Sequence, residues 1–240
     1  MVRAARRKQD ALARAIFERT GGRVVAGPFA GMRFVAESSW GDLAAKLLGC
    51  YEEELHPAIE RGLGRGWDRI INVGCGEGYY AVGFALRQPA APVLAYDVDP
   101  RAQRLTAELA RRNGVADRVE VGGVASREVL GRALKGATHP FLLIDCEGAE
   151  IELLDPGHLP ALRHADLIIE CHDFLDRSIT DRLRARFATT HTCEQVREQS
   201  RDPRAIALLA EMGCLDAALL LCEFRPERMH WLVLERRQPS

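Results

Sequence analysis

Two apolar periods alternate along most of this chain. Short runs that are apolar almost throughout begin at Arg69 (RIINVG), Pro92 (PVLAYDVD), Arg118 (RVEVGGVA), Pro140 (PFLLIDCEG) and Ala165 (ADLIIECHD). Between them lie YYAVGFALR, PRAQRLTAELARRNGV, REVLGRALKG and, further on, SITDRLRARF, where apolar residues recur every three or four positions. The first pattern predicts strands buried on both faces and the second predicts helices packed over them. Asp99, Pro100 and Gly114 supply an N-cap, a first-turn proline and a terminating glycine for the helix that follows the second strand. Strand and helix in alternation predict an α/β fold whose seven-stranded mixed sheet is mostly parallel and covered by helices on both faces.

The flanking segments are less regular. Leu12, Ile16 and Phe17 predict an amphipathic helix over 4–19 with a solvated basic face. GPFAGMRFV predicts a glycine-punctuated hairpin or strand, and LLGCYEEELHPAIERGL a helix ended by glycine. Together, residues 1–66 form an extension expected to cover the site, and residues 67–240 the catalytic domain. Near the end, THTCEQVRE predicts a weaker strand, Asp202 with Pro203 the start of a helix, and MHWLVLERR a closing strand. The apolar stretch from Ala205 to Cys222 is broken by Glu211 and Asp216, which suits a buried helical region and not a membrane span.

Composition changes this picture little. The 240 residues suffice for one buried core. Lysine plus arginine number 33 against 34 acidic residues, a formal charge of -1, so no overall field favours nucleic acid or a membrane surface. Small or neutral substrates fit that balance better. The seven cysteines show no C-x-x-C pair and most sit in apolar runs, which points to packed thiols in a cytoplasmic protein. The start of the chain lacks the apolar core of a signal peptide.

The first candidate chemistry lies in INVGCGEGYYAVGFAL. Gly74, Gly76 and Gly78 join the first parallel strand to its helix, where ligands bind in such sheets. The spacing is G-x-G-x-G, without the third glycine of a dinucleotide fingerprint or the Lys-Ser/Thr pair of a P-loop, so both phosphate readings are weakened. Asp97 stands 19 positions after Gly78, at the end of the next strand, where its carboxylate can accept both hydroxyls of a ribose. A nucleoside ligand with little demand for phosphate binding follows, and S-adenosylmethionine is the leading candidate.

NVGCGEGYYAVGFAL followed by VLAYDVDP resembles the first two motifs of class I S-adenosylmethionine-dependent methyltransferases. That resemblance implies the Rossmann-like class I fold. The cofactor-binding set it implies is Asn72, Gly74, Cys75, Gly76, Gly78, Tyr79, Asp97, Val98 and Asp145. Asn72 departs from the pattern, because many members carry an acidic residue there.

The second candidate is FLLIDCEGAEIELL. Asp145 ends an apolar strand, Glu147 faces the same side two positions on, and Gly148 and Glu150 follow; Glu152 is expected to be solvated. A helix start favoured by the dipole is the plainer reading of these carboxylates. The segment resembles the D-x-E-G-x-E signature of FkbM-type methyltransferases, with LLGCYEEELHPAIE and LIIECHD also similar to that family. O-methylation of a small-molecule or sugar hydroxyl is what this resemblance implies. His172 then suits the general base, beside Asp145 and Glu147, since its free pKa lies near neutrality. The same three residues could instead hold Mg2+ and lower the pKa of the hydroxyl. Tyr51, Glu52, Glu53 and His56 either reach over the pocket or form a plain amphipathic helix, and Tyr79 and Tyr80 line the cofactor or simply pack. N- or carboxyl-methylation, a nicotinamide-dependent oxidoreductase and a cofactor-binding relic without turnover are the rival functions.

Overall fold

The computed structural model describes residues 2–38 and 42–237. Seven strands form one sheet: β1 (Arg69–Val73), β2 (Val93–Tyr96), β3 (Val119–Gly122), β4 (Pro140–Ile144), β5 (Asp166–Glu170), β6 (His191–Arg197) and β7 (His230–Arg236). Their order is β3-β2-β1-β4-β5-β7-β6. β1 to β5 pair in parallel, while β7 runs antiparallel between β5 and β6. The order reverses between β1 and β4, so a crevice opens above their carboxyl ends.

Side-chain alternation along the central strands feeds two cores. Ile70, Phe141, Leu143, Ile168, Trp231 and Val233 face one side. Ile71, Leu142, Ile144, Leu167, Ile169, Leu232 and Leu234 face the other. This is the period of two that a strand buried on both faces requires. Helices α4 (Tyr79–Arg87), α5 (Pro100–Arg112), α6 (Arg127–Leu134) and α8 (Ile179–Phe187) stand where the sequence predicts them. Asp99 caps α5 by accepting the Arg101 amide at 2.8 Å.

The leading segment departs from expectation in two places. α1 (Val2–Arg19) forms as predicted. GPFAGMRFV, however, is a turn held by a single antiparallel bridge between Arg23 and Arg33, with no strand. The long helix expected from Leu47 is broken into α2 (Leu43–Leu48), a 3-10 turn over Glu53–Leu55, and α3 (His56–Leu63). Gly49 breaks it: its φ is 73°, and a Cβ there would lie 2.0 Å from the Ala26 carbonyl oxygen. Buried residues of this segment, among them Ile16, Val24, Phe29 and Leu55, join the same core as Ile70 and Phe141.

Toward the end, Asp202 and Pro203 start only a 3-10 turn, and helix resumes in α9 (Cys214–Leu220). The four-residue α7 (Glu150–Leu153) follows β4. Cys193 and Cys214 are exposed, unlike the packed thiols the apolar runs suggest. No helix among the described residues is long and apolar enough to cross a membrane.

Far from the crevice, Asp166 at the start of β5 ties four segments together. Its carboxylate accepts from Trp67 Nε1 at 3.0 Å, Arg65 Nε at 2.7 Å and the Arg236 amide at 2.9 Å, and meets His139 Nε2 at 2.8 Å. Burial alone would raise this carboxyl, yet the hydrogen bonds from Trp67, Arg236 and His139 and the Arg65 charge hold it below the usual range. A carboxylate held low contributes stability that is present above the unfolded value and lost as pH falls through the folded one. Asp166→Ala should cost about 1–3 kcal/mol, because buried donors lose their acceptor. Urea unfolding of the variant at pH 7 and pH 3.5 should show that deficit shrinking at the lower pH; an equal deficit at both would remove the charge from the account.

Candidate active site

The cleft above β1 and β4 has a volume of about 430 Å³ and receives walls from the glycine turn, β2, β4, β5, the segment after α2 and the segment after α9. That size suits a drug-sized ligand.

The glycine turn is shaped by proximity to β4. Gly74 has φ 75°, and a Cβ on it would sit 1.7 Å from the carbonyl oxygen of Asp145. Only glycine lets the two strand ends approach so closely. The turn's amides are already engaged within the protein: Gly74 and Cys75 donate to the Tyr96 carbonyl at 2.8 and 3.0 Å, and Gly78 donates to Cys75 at 2.8 Å. Gly76 donates to Asp97 Oδ2 at 2.8 Å. A phosphate cradle needs such amides pointed at its ligand. The amides of Gly74, Cys75, Gly76 and Gly78 are thus not free to serve as one.

Asp97 is oriented by that bond and by the Asp99 amide, which donates to Oδ1 at 2.9 Å. Each carboxylate oxygen keeps a lone pair, so two hydroxyls can still be accepted. Beyond it Val98 and Val124 are 74% and 66% exposed and line the cleft, the apolar flanks a flat base needs. Cys75, Gly76 and Tyr79 also line it. Asn72 does not: it is 1% exposed and its Nδ2 donates to the Leu143 carbonyl at 3.4 Å, so it lies in the sheet and corrects the cofactor contact expected of it. Burial raises the Tyr79 hydroxyl above its ordinary value, and its oxygen has no hydrogen-bond partner among the described residues.

At the other end, β4 and β5 bring together the predicted chemistry. His172 is buried, with Nε2 3.4 Å from Asp145 Oδ1 and 3.5 Å from Glu147 Oε2. Its Nδ1 lies 2.5 Å from Glu150 Oε1. Burial alone would lower the imidazole's pKa; the bond to Glu150 and the charges of Glu170, Glu150 and Glu147 outweigh it and leave the value raised. Asp145 is pushed up to about 7, first by burial and then by the charges of Glu52 and Glu147. Asp173 accepts from Thr180 at the start of α8 and does not line the cleft.

Sequence reasoning missed Arg225 and Glu223, which complete a charged wall opposite. Arg225 donates to Glu52 at 2.8 Å, to Glu223 at 2.7 Å and to Glu170, and lies 5.2 Å over the Trp231 ring. Glu52 also accepts the Tyr80 hydroxyl at 2.5 Å. Lys46 donates to Glu77 at 2.6 Å beneath the glycine turn. Tyr51 and Glu52 thus line the cleft, against the plain amphipathic helix weighed for them, while Glu53 and His56 do not. Glu52, Glu147 and Phe224, the non-glycine residues with left-handed backbone among those described, all line this cleft. Strain of that kind gathers at functional sites.

A family model described as Ribosomal protein L11 methyltransferase (PrmA) matches residues 58–136. A ribosomal protein L11 methyltransferase of Pelotomaculum thermopropionicum is 36% identical over 121 residues, covering 43% of this chain and 39% of the relative. One of Alteromonas mediterranea is 46% identical over 52 residues, covering 22% of this chain and 18% of the relative. The chain therefore spans well under half the length of the curated relatives it matches. Among solved structures, cofactor-bound Rv0187 from MTB aligns with a TM-score of 0.50 at 12% identity, over 80% of this chain and 89% of that one.

Gly74→Ala should destabilise by more than the roughly 1–2 kcal/mol that left-handed backbone alone costs a side chain. Gly136→Ala, at φ 79° with open space around it, should cost only that amount. Thermal unfolding of the pair checks this, and equal costs would show that the β1–β4 approach is not tight.

The strand order gives the chain the Rossmann-like class I methyltransferase fold, and its residues 58–136 are similar to ribosomal protein L11 methyltransferases.

Proposed function

We propose that this chain transfers the methyl group of S-adenosylmethionine to a hydroxyl of a small molecule or sugar, with His172 as general base. The observation that carries this is the sharing of one cleft by two ends: an Asp97 carboxylate with acceptor capacity to spare, and His172 with Asp145 and Glu147. When bound, the cofactor supplies an electrophilic methyl on a positively charged sulfur. The carboxylate-rich wall favours such a charge.

Asp97 would hold the ribose, and the glycine turn would lie under the amino-acid part. His172 would take the acceptor's proton as its oxygen bonds to the methyl carbon, the carbon–sulfur electron pair leaving with sulfur. A hydroxyl needs that help, worth roughly 10²–10⁴-fold. Fixing the two reactants in line could supply on the order of 7–11 kcal/mol more.

The matched L11 methyltransferases act, by their name, on a ribosomal protein, and an amine or protein acceptor is the competing reading. The family match ends at residue 136, before Asp145. The groups that would meet an acceptor lie outside it, in the segment that resembles the FkbM type, which favours the hydroxyl. A second reading comes from the ligand atoms of Asp145, Glu147 and His172, which lie within 4.8 Å of one another. They could hold Mg2+, although imidazole is a poor partner for a cation that prefers oxygen.

Asp97→Ala should weaken S-adenosylmethionine binding about 10- to 100-fold, as charged hydrogen bonds of roughly 1.5–3 kcal/mol are lost, and calorimetry would register it. His172→Ala should keep that affinity and lower turnover on a hydroxyl acceptor by about 10²-fold or more. Full turnover in the His172 variant would end the base assignment. Protein dialysed against EDTA should stay active; activity restored only by Mg2+ would hand the role to the cation.

A further inference from the structure

One carboxylate of the D-x-E-G-x-E run does not face the cleft. Glu150, the first residue of α7, is 0% exposed and accepts the Gly148 amide at 3.1 Å through the same Oε1 that lies 2.5 Å from His172 Nδ1. The Phe174 ring stands edge-on to the imidazole, centroids 5.7 Å apart. The imidazole is therefore gripped on the side away from the cleft.

Glu150 Oε1 already accepts the Gly148 amide, so it meets Nδ1 as an acceptor. The nitrogen facing Glu150 must then carry a proton, which in a neutral imidazole leaves the lone pair on Nε2. Nε2 is the nitrogen beside Asp145 and Glu147, at 3.4 and 3.5 Å, longer than a formed hydrogen bond. An acceptor's proton can enter there. We propose that Glu150 is a positioning residue that fixes His172 in the Nδ1–H tautomer and aims Nε2 at the acceptor. This rests on the base role given to His172 above. After proton transfer the imidazolium is bound on both sides, by Glu150 at Nδ1 and by the cleft carboxylates at Nε2. Glu147, 63% exposed at its side chain, offers the proton a way to solvent.

The test has two readouts. Long-range nitrogen–proton NMR on protein labelled at histidine should find His172 with its proton on Nδ1 in the wild type. Glu150→Gln, which keeps an acceptor oxygen but removes the charge, should populate the Nε2–H form. In turnover, Glu150→Gln should lower kcat at least 10-fold with the KM for S-adenosylmethionine unchanged, and Glu150→Asp should recover part of the loss. The double variant with His172→Ala should be no slower than His172→Ala alone, as expected when one residue acts through the other. A wild-type His172 protonated on Nε2 overturns the proposal without any variant having to fold, as does a loss in the double variant equal to the product of the single losses. If His172→Ala stays fully active while the tautomer still changes in Glu150→Gln, the positioning stands and the base assignment falls.

Discussion

The site depends on one guanidinium, that of Arg225, shared by three buried carboxylates, of which Glu223 also meets Arg201 at 3.0 Å. Arg225 binds Glu52 from the leading segment, Glu170 at the end of β5 and Glu223 beside it in the chain. All four are largely buried, where removing one partner of an ion pair leaves an uncompensated charge at a cost of several kcal/mol. The clasp therefore sets where the leading segment lies against β5 and β7, and so sets the width of the cleft. It also explains a local oddity. Glu52 holds left-handed backbone, which costs of order 1–3 kcal/mol, and its carboxylate receives both Arg225 and the Tyr80 hydroxyl in return.

Charge also shapes what the cleft can bind. Glu170 is raised well above the carboxylate range, by burial first and then by the charges of Asp145 and Glu52. Asp42 is pushed up to about 7 by burial, against the pull of Lys46. Burial first, and then neighbouring negative charge, disfavours the charged form of both carboxyls, and a nearby positive charge would relieve the second effect. A ligand bearing a sulfonium supplies it, whereas a dinucleotide brings two phosphates into the same field. Together with turn amides that already have acceptors, this is a stronger argument against a nicotinamide cofactor than the glycine spacing.

The sequence made legible whatever is local and periodic. Strands such as IINV and FLLI, buried on both faces, carry their period in their own residues, and Asp99 with Pro100 announces α5 without reference to anything distant. Gly49 misled because a glycine in a helical pattern does not reveal that Ala26 passes within reach. Asn72 misled in the other direction, since motif position suggested a ligand contact and strand alternation sends the side chain into the sheet. Glu150 was visible as part of the acidic run, but its burial follows from α7 beginning there and β5 passing beside it. The Arg225 clasp joins residues 52, 170 and 223, which no local pattern links; the only hint was Glu223 and Arg225 flanking Phe224 in an otherwise apolar stretch.

The two resemblances fall on different halves of the sheet. The match to L11 methyltransferases spans the segment that builds β1, β2 and β3, where Gly74 to Gly78 and Asp97 would meet the cofactor. The FkbM-like residues sit on β4 and β5 and on the segment before α3, which form the opposite wall. A cofactor shared by many enzymes constrains the first half in the same way in all of them, so similarity there says little about the acceptor. Under the proposed function, acceptor choice would fall to cleft residues such as Glu52, Asp145, Glu147, Glu170, His172 and Arg225, all outside residues 58–136. In that wall a buried histidine is oriented from behind by Glu150 and crowded in front by carboxylates. Under the proposed base role, those carboxylates would stabilise the imidazolium that proton transfer creates.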